Sequence, residues 1–225
     1  MALTAQAVLD RVSRSLNDET YTRWTQAELL EYLSDAQRAA VLVRPEVNPV
    51  TATLQLAAGT KQDIPDEGFV LIDVVRNLGT DGSIPGRAIT PVDRAALDQT
   101  NPNWHAGPPD ATVINFVYDI RNRRTFYVSP PQPDTGRNRV EIVHARSPEE
   151  ITATSDDLGV DDIYIPALVA YVLHRAYIKD ISVEGQGAQR SGAYYEMFMQ
   201  LLLGKAEEQD ADLTIRHETV EAGRG

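Results

Sequence analysis

The hydrophobic period of this 225-residue chain changes twice along its length. Near both ends, apolar side chains recur at helical spacing, whereas from about Val50 to Ala145 they alternate with polar side chains between frequent turn residues. A period of 3.6 indicates a helix with one buried face, and a period of two indicates a half-buried strand. The pattern therefore predicts an α+β fold: a helical bundle built from N- and C-terminal helices, with an inserted antiparallel β lobe that is a small sandwich or sheet.

The two changes of period also predict the domain boundaries. The helical bundle is expected to comprise residues 1–48 and 148–211, the β lobe residues 49–147, and an extended C-terminal tail residues 212–225, which carry no core pattern. The expected helices are Ala5 to Leu16 with Thr4 as its cap, Gln26 to Val43, one that begins near Pro166, and about Ala188 to Asp210. Thr25 and Glu28 have the spacing of a capping box, which marks the start of the second helix.

Within the β lobe, three local features are predicted. The clearest hairpin pairs Thr112 to Tyr118 with Thr125 to Ser129, and Pro91 to Gln99 has the pattern of a short helix. In the loop that follows this helix, Trp104 is expected to pack over an open edge of the sheet.

The helix within residues 161–180 carries apolar side chains on two faces. At about 100° per residue, one wide stripe faces the bundle, and Tyr171, His174 and Ile178 lie on the opposite side. One stripe is enough for the core of a single copy. The second stripe therefore predicts a subunit interface formed by Tyr171, His174 and Ile178 in a larger assembly.

Composition and charge exclude several classes of function. The net charge of −12 argues against a surface that grips phosphates over most of the molecule, because nonspecific affinity for nucleic acid comes from Lys and Arg. The absence of cysteine excludes disulfides, thiolate nucleophiles and cysteine-based zinc sites. No apolar run is long enough to span a bilayer, so we expect a soluble protein made in a cytoplasm.

The residues that could carry catalysis or bind a metal do not form a recognisable site. The histidines are far apart in the sequence, and no two have the spacing of helical metal ligands. The acidic residues between Asp156 and Asp162 do not match a calcium loop, and they suit a position ahead of a helix N-terminus. The chain has neither a nucleophile elbow nor a phosphate-binding glycine motif. We therefore expect no enzyme activity, no cofactor and no metal.

Basic residues are concentrated in two turns, Arg121 to Arg124 and Arg137 to Arg139. Both turns can simply be hairpin tips in solvent. The alternative is that Arg121, Arg123 and Arg124 contact a partner, either an acidic protein surface or passing DNA, because guanidinium groups suit carboxylate and phosphate alike.

A second interpretation of the β lobe is a ligand-binding module. Trp104, His105 and Tyr127 would then form an aromatic platform for a carbohydrate or a host-surface ligand. Exposed rings in a concave site would favour this alternative, and burial of Trp104 would count against it.

Several phrases of the sequence resemble a known family. They are RWTQAELLEYLSDAQRA, LAAGTKQDIPDEGFVLIDVVRNLGTDG, GRAITPVDRAALDQTNPNWH and IPALVAYVLHRAYIKD. Together they resemble the head-to-tail adaptor (connector) proteins of tailed bacteriophages, in particular those of short-tailed phages similar to tail tubular protein A, over roughly Leu3 to Gln209.

The resemblance implies a structural protein of the virion at the junction of capsid and tail. Such proteins form a homo-oligomeric ring, usually of twelve copies, between the portal protein and the tail nozzle protein, and genomic DNA passes through the ring without sequence-specific binding. The resemblance also implies that the C-terminal tail docks on the portal, and Leu213, Ile215 and Arg216 are the expected anchors. A strongly acidic chain suits such a channel, because repulsion reduces trapping of phosphates.

Overall fold

The computed structural model of this chain describes residues 4–136, 138–179 and 187–204. It divides into two compact units: a helical unit, drawn from the chain up to Val47 and from Pro148 onwards, and a β unit, Asn48–Ser147. The elements in chain order are α1 (Ala5–Leu16), α2 (Gln26–Val43), β1 (Pro49–Gln55), β2 (Gly59–Asp63), β3 (Gly68–Leu78), β4 (Pro85–Ala88), β5 (Thr90–Pro91), α3 (Arg94–Thr100), β6 (Asn115–Tyr118), β7 (Thr125–Gln132), β8 (Arg139–Arg146), α4 (Ile165–Ile178) and α5 (residues 187–204). The prediction of an α+β fold is confirmed.

The helices α1, α2 and α4 lie largely where the sequence predicts, and α5 begins within a residue of Ala188, while its predicted end near Asp210 lies outside the described residues. Asn17 ends α1 in the left-handed conformation, with φ of 57°. The Thr25 hydroxyl accepts a hydrogen bond from the backbone N–H of Glu28 at 3.3 Å, as a capping box requires. Pro166 lies in the first turn of α4, where a missing N–H costs nothing.

The expected role of Thr4 as a side-chain cap is wrong. Thr4 occupies the N-cap position of α1, but its side chain makes no capping hydrogen bond. The N–H groups of Ala5 and Gln6 donate instead to the backbone oxygens of Asp156 and Thr154, each at 2.9 Å. A loop distant in sequence therefore satisfies the start of this helix, and no local pattern reveals such a partner.

The core of the helical unit is made by one side of α1, α2 and α5 and by most of the circumference of α4. Trp24, between α1 and α2, is also buried, and its Nε1 donates to the backbone oxygen of Ala176 on α4 at 3.2 Å. The fully or nearly fully buried apolar residues of this core include Val8, Leu9, Val12, Leu29, Leu33, Ala36, Leu168, Val172, Phe198 and Leu202.

The β unit contains two four-stranded sheets that share one core. Their strand orders are β1-β8-β3-β4 and β2-β7-β6-β5. Buried side chains of the first sheet, such as Val74 and Ile142, belong to the same apolar cluster as Phe116 and Phe126 of the second. This arrangement is the small sandwich that was one of the two predicted forms of the lobe. All strand pairs are antiparallel except β5 with β6, which is parallel.

Two local predictions in the lobe differ from the structure by a few residues. The short helix begins at Arg94 instead of near Pro91, because the Asp93 carboxylate caps the N–H groups of Ala95 and Ala96. The predicted hairpin forms, but β6 begins only at Asn115.

Candidate interaction surfaces

The second apolar face of α4 is covered largely by the last helix of the same chain. The ring of Tyr171 meets the ring of Phe198 edge-on, with centroids 5.0 Å apart. The Nδ1 atom of His174 lies 2.9 Å from both the backbone oxygen and the hydroxyl oxygen of Ser191. Ile178, one turn further along, keeps 41% of its surface exposed. Tyr171 and His174 are thus half-buried against α5 and Ile178 is exposed, and the subunit interface at these three residues stays a prediction.

The composition of α5 explains why it packs on this face of α4. Its central sequence, AYYEMFMQLLL, is apolar around most of the helix, so it can cover a second face of α4 and still expose apolar atoms. Ser191, Phe198 and Leu202 form its buried stripe. The signal for this pairing was present in the sequence, but periodicity does not say which helix faces which.

Apolar side chains remain exposed on both flanks of α5. Met197 and Leu203 are each 48% exposed. At 100° per residue, they lie on opposite sides of the buried stripe. Part of the apolar surface left over in the helical unit thus lies on α5 and at the end of α4, where no described residue of the same copy covers it.

The basic hairpin tip of the β unit is largely neutralised by acids of the same unit. Arg121 binds Asp119 through two guanidinium nitrogens, with N–O distances of 2.7 to 3.1 Å. These hydrogen bonds lower the pKa of Asp119 to about 2 and raise the pKa of Arg121. Arg124 lies 3.3 Å from a carboxylate oxygen of Asp66. Of the three arginines predicted to contact a partner, two therefore already have an acidic neighbour, while Arg123 is exposed at the tip.

A cleft of about 740 Å³ lies beside this tip, between the start of α3 and the turn from β6 to β7. Its walls carry both signs of charge, but each acid has a structural role. Asp93 caps α3, Asp119 binds Arg121, and Asp98 accepts a hydrogen bond from Trp104 Nε1 at 2.8 Å. The cleft thus brings no uncommitted acid and base together, as general acid–base catalysis would need.

Of the three rings in the alternative interpretation, only that of Trp104 is buried, whereas His105 is exposed and Tyr127 is half-buried. Trp104 is only 2% exposed, and its ring stacks on that of His105 at a centroid distance of 3.7 Å. Tyr127 meets Trp104 edge-on at 6.3 Å, and His105 Nδ1 lies 2.8 Å from the Thr60 hydroxyl. Trp104 therefore packs against the strands β2 and β7 as part of the fold, which counts against a carbohydrate-binding platform.

The histidines within the described residues lie in separate parts of the fold. His144 is fully buried in β8, while His105 and His174 hold the contacts given above. Among residues 4–136, 138–179 and 187–204, no cluster of three or more His, Asp or Glu side chains could hold a metal ion. In the same residues no helix combines the length and the apolar character that crossing a membrane requires.

The remaining predicted residues lie outside the part of the chain that the structure describes. These are Leu213, Ile215 and Arg216 of the tail, His217, and Arg137 of the second basic turn. Arg139 of that turn is directed to the Gln55 side chain, at 3.4 Å, and to the backbone oxygen of Thr80.

Comparison with protein-family models identifies a family for this chain. A family model described as SU10 adaptor protein matches residues 3–218, which is nearly the whole chain and includes both compact units. None of the curated proteins matches the chain.

Proposed function

Because the chain belongs to the SU10 adaptor protein family, whose members are bacteriophage adaptors, we propose that it forms a ring that joins the portal to the tail nozzle of a phage virion. In this role it has no substrate and no cofactor. Its ring stacks between the portal and the tail nozzle. The inner wall of the ring lines the channel through which genomic DNA leaves the capsid.

The observation that carries this proposal is the extent of the family match. Because residues 3–218 are matched, the likeness covers the helical unit and the β unit together and is not confined to one small motif. The described groups also agree with a structural role, since acids of the cleft beside the hairpin tip are committed to helix capping and ion pairs.

A ring needs two different surfaces on each copy, because neighbours meet head to tail around the axis. The apolar side chains around α5 offer one such surface: Ile178 at the end of α4, with Met197 and Leu203 on the two flanks of α5. Tyr171 and His174 contribute to this surface by positioning α5 through Phe198 and Ser191.

The acidic composition of the chain is consistent with the proposed role of lining a DNA channel. Each copy carries −12, and a ring multiplies this charge around a narrow lumen. A field of that sign keeps DNA from adhering to the wall, since the 21 Lys and Arg that could neutralise phosphates are outnumbered by 33 Asp and Glu.

The test is electron microscopy and mass photometry of the purified protein, alone and mixed with its cognate portal. We expect rings in the mixture and their loss on Met197→Asp or Leu203→Asp, because a buried unpaired carboxylate is costly at an interface. Ile120→Asp is the matched control, since Ile120 is 59% exposed but lies in the β unit. Monomers in both preparations of the unaltered protein would refute the proposal.

A further inference from the structure

The two sheets of the β unit end in four edge strands, β1 and β4 in one sheet and β2 and β5 in the other. An edge strand presents unpaired backbone N–H and C=O groups, which can pair with another chain. Folded proteins usually protect such edges with charge, proline, bulges or short length.

Three of the four edges are protected in these ways. β5 has only two residues, one of them Pro91. β4 has four residues, contains Arg87 and pairs with β3 through a register shift. β2 has five residues, carries Lys61 and Asp63, and pairs with β7 through a register shift.

β1 has almost none of this protection. Its seven residues, PVTATLQ, include no charge, and its one proline is at the first position, where a strand tolerates it. It pairs with β8 over all seven positions without a register shift. Its side chains alternate between exposed and half-buried, as expected for a regular strand with one face on the core.

Two backbone hydrogen bonds, one at each end of β1, show which N–H and C=O groups of this strand point away from β8. The N–H of Arg146 donates to the oxygen of Asn48, and the N–H of Leu56 donates to the oxygen of Asn138. Because bonding to an antiparallel neighbour alternates along a strand, the even-numbered residues between them face β8. Thr51, Thr53 and Gln55 therefore direct their N–H and C=O groups away from the sheet.

We propose that this edge accepts residues 213–220 of a neighbouring copy as an added strand. This inference rests on the proposed ring. The segment reads LTIRHETV; it is rich in β-branched residues, has no Pro or Gly, and its eight residues match the seven of β1. Main-chain pairing of this kind is a general mode of recognition.

Head-to-tail symmetry explains why the strand comes from a neighbour. The β1 edge and the C-terminal segment are two different surfaces of each copy, so their pairing can repeat around a ring and close. Pairing of β1 with β1 would instead produce two-fold dimers, and the other edges of the β unit are the protected ones. The inference thus places the C-terminal segment on the next adaptor subunit, where the sequence alone suggested the portal.

The chain has no cysteine, so an introduced pair can be cross-linked without background. The test combines Thr53→Cys with Ile215→Cys in the full-length protein, treated with a short bis-maleimide in the presence of portal. Lys61→Cys with Ile215→Cys is the matched control on the protected edge β2. We expect a ladder of covalent oligomers with about tenfold higher yield than the control, since pairing raises the effective concentration.

A second variant shows whether main-chain pairing is responsible. With the cysteine moved to Thr51, Thr53→Pro removes one outward N–H and should abolish the ladder, whereas Thr53→Val retains the N–H and should preserve it. Circular dichroism verifies that both variants fold.

Three outcomes would overturn the strand assignment: cross-links confined to single chains, cross-links from Ile215→Cys to the portal, or equal yields in the control. If rings still form in the microscope, the proposed function survives that failure. If no rings form, the proposed function itself is refuted.

Discussion

The ring of Phe198 on α5 lies edge-on against the ring of Tyr171 on α4, with centroids 5.0 Å apart. This contact closes the second apolar face of α4 from within the same chain. Phe198 is 1% exposed, so it belongs to the core of the helical unit, although its neighbour Met197 is half-exposed. The last helix is therefore both a core element and a source of exposed apolar surface.

Phe198→Ala should destabilise the helical unit by about 3–5 kcal/mol, because it removes a fully buried ring and leaves a cavity. Denaturant unfolding monitored by circular dichroism measures this cost. Met197→Ala, one position away, is the control and should change the free energy of unfolding by about 0.5 kcal/mol or less. Similar costs for the two variants would show that α5 does not pack as described.

Asn77→Ala should destabilise the β unit by about 2–3 kcal/mol, because it leaves buried backbone groups without partners. The Asn77 side chain accepts from the N–H of Val113 at 2.8 Å and donates to the oxygens of Val113 and Arg87 at 2.7 and 3.0 Å. Thermal unfolding of the variant measures the loss. Asn103→Ala, at an exposed position, should leave the transition almost unchanged, and an equal shift in both variants would contradict this role.

The pKa of Asp119 should lie at about 2, below its ordinary value of 3.8, because Arg121 donates hydrogen bonds to its carboxylate. A lowered pKa means that the pair stabilises the folded state fully above about pH 4, and that this contribution is lost as the pH falls toward 2. A carboxyl NMR titration measures the midpoint. In Arg121→Gln the midpoint should rise toward the ordinary value; an unchanged midpoint would show that Arg121 is not the cause.

Trp104 fluorescence should be blue-shifted and resistant to acrylamide, because its ring is buried between His105 and Tyr127. Trp24→Phe makes Trp104 the only tryptophan of the chain and so isolates its emission. The same protein in urea supplies the exposed reference. Efficient quenching of the folded protein would reopen the alternative of an aromatic binding platform.

Local patterns were sufficient to predict the first two helices and the hairpin of this protein. Helical spacing from Ala5 to Leu16 and the capping pair of Thr25 and Glu28 predict the first two helices, and both are found at those positions. The predicted hairpin also forms, because a turn between two runs of alternating residues is a short-range signal. These features depend on residues a few positions apart, which is why the sequence by itself determined them.

The tertiary structure alone decided which surfaces are covered. Phe198 and Ser191 lie 27 and 17 residues beyond their partners Tyr171 and His174, and no period links the two helices. The open edge of β1 likewise depends on the strand order, which places β8 on one side of it and nothing described on the other. Burial and exposure arise from contacts between distant segments, so a pattern of apolar residues shows that a face will be buried but not by what.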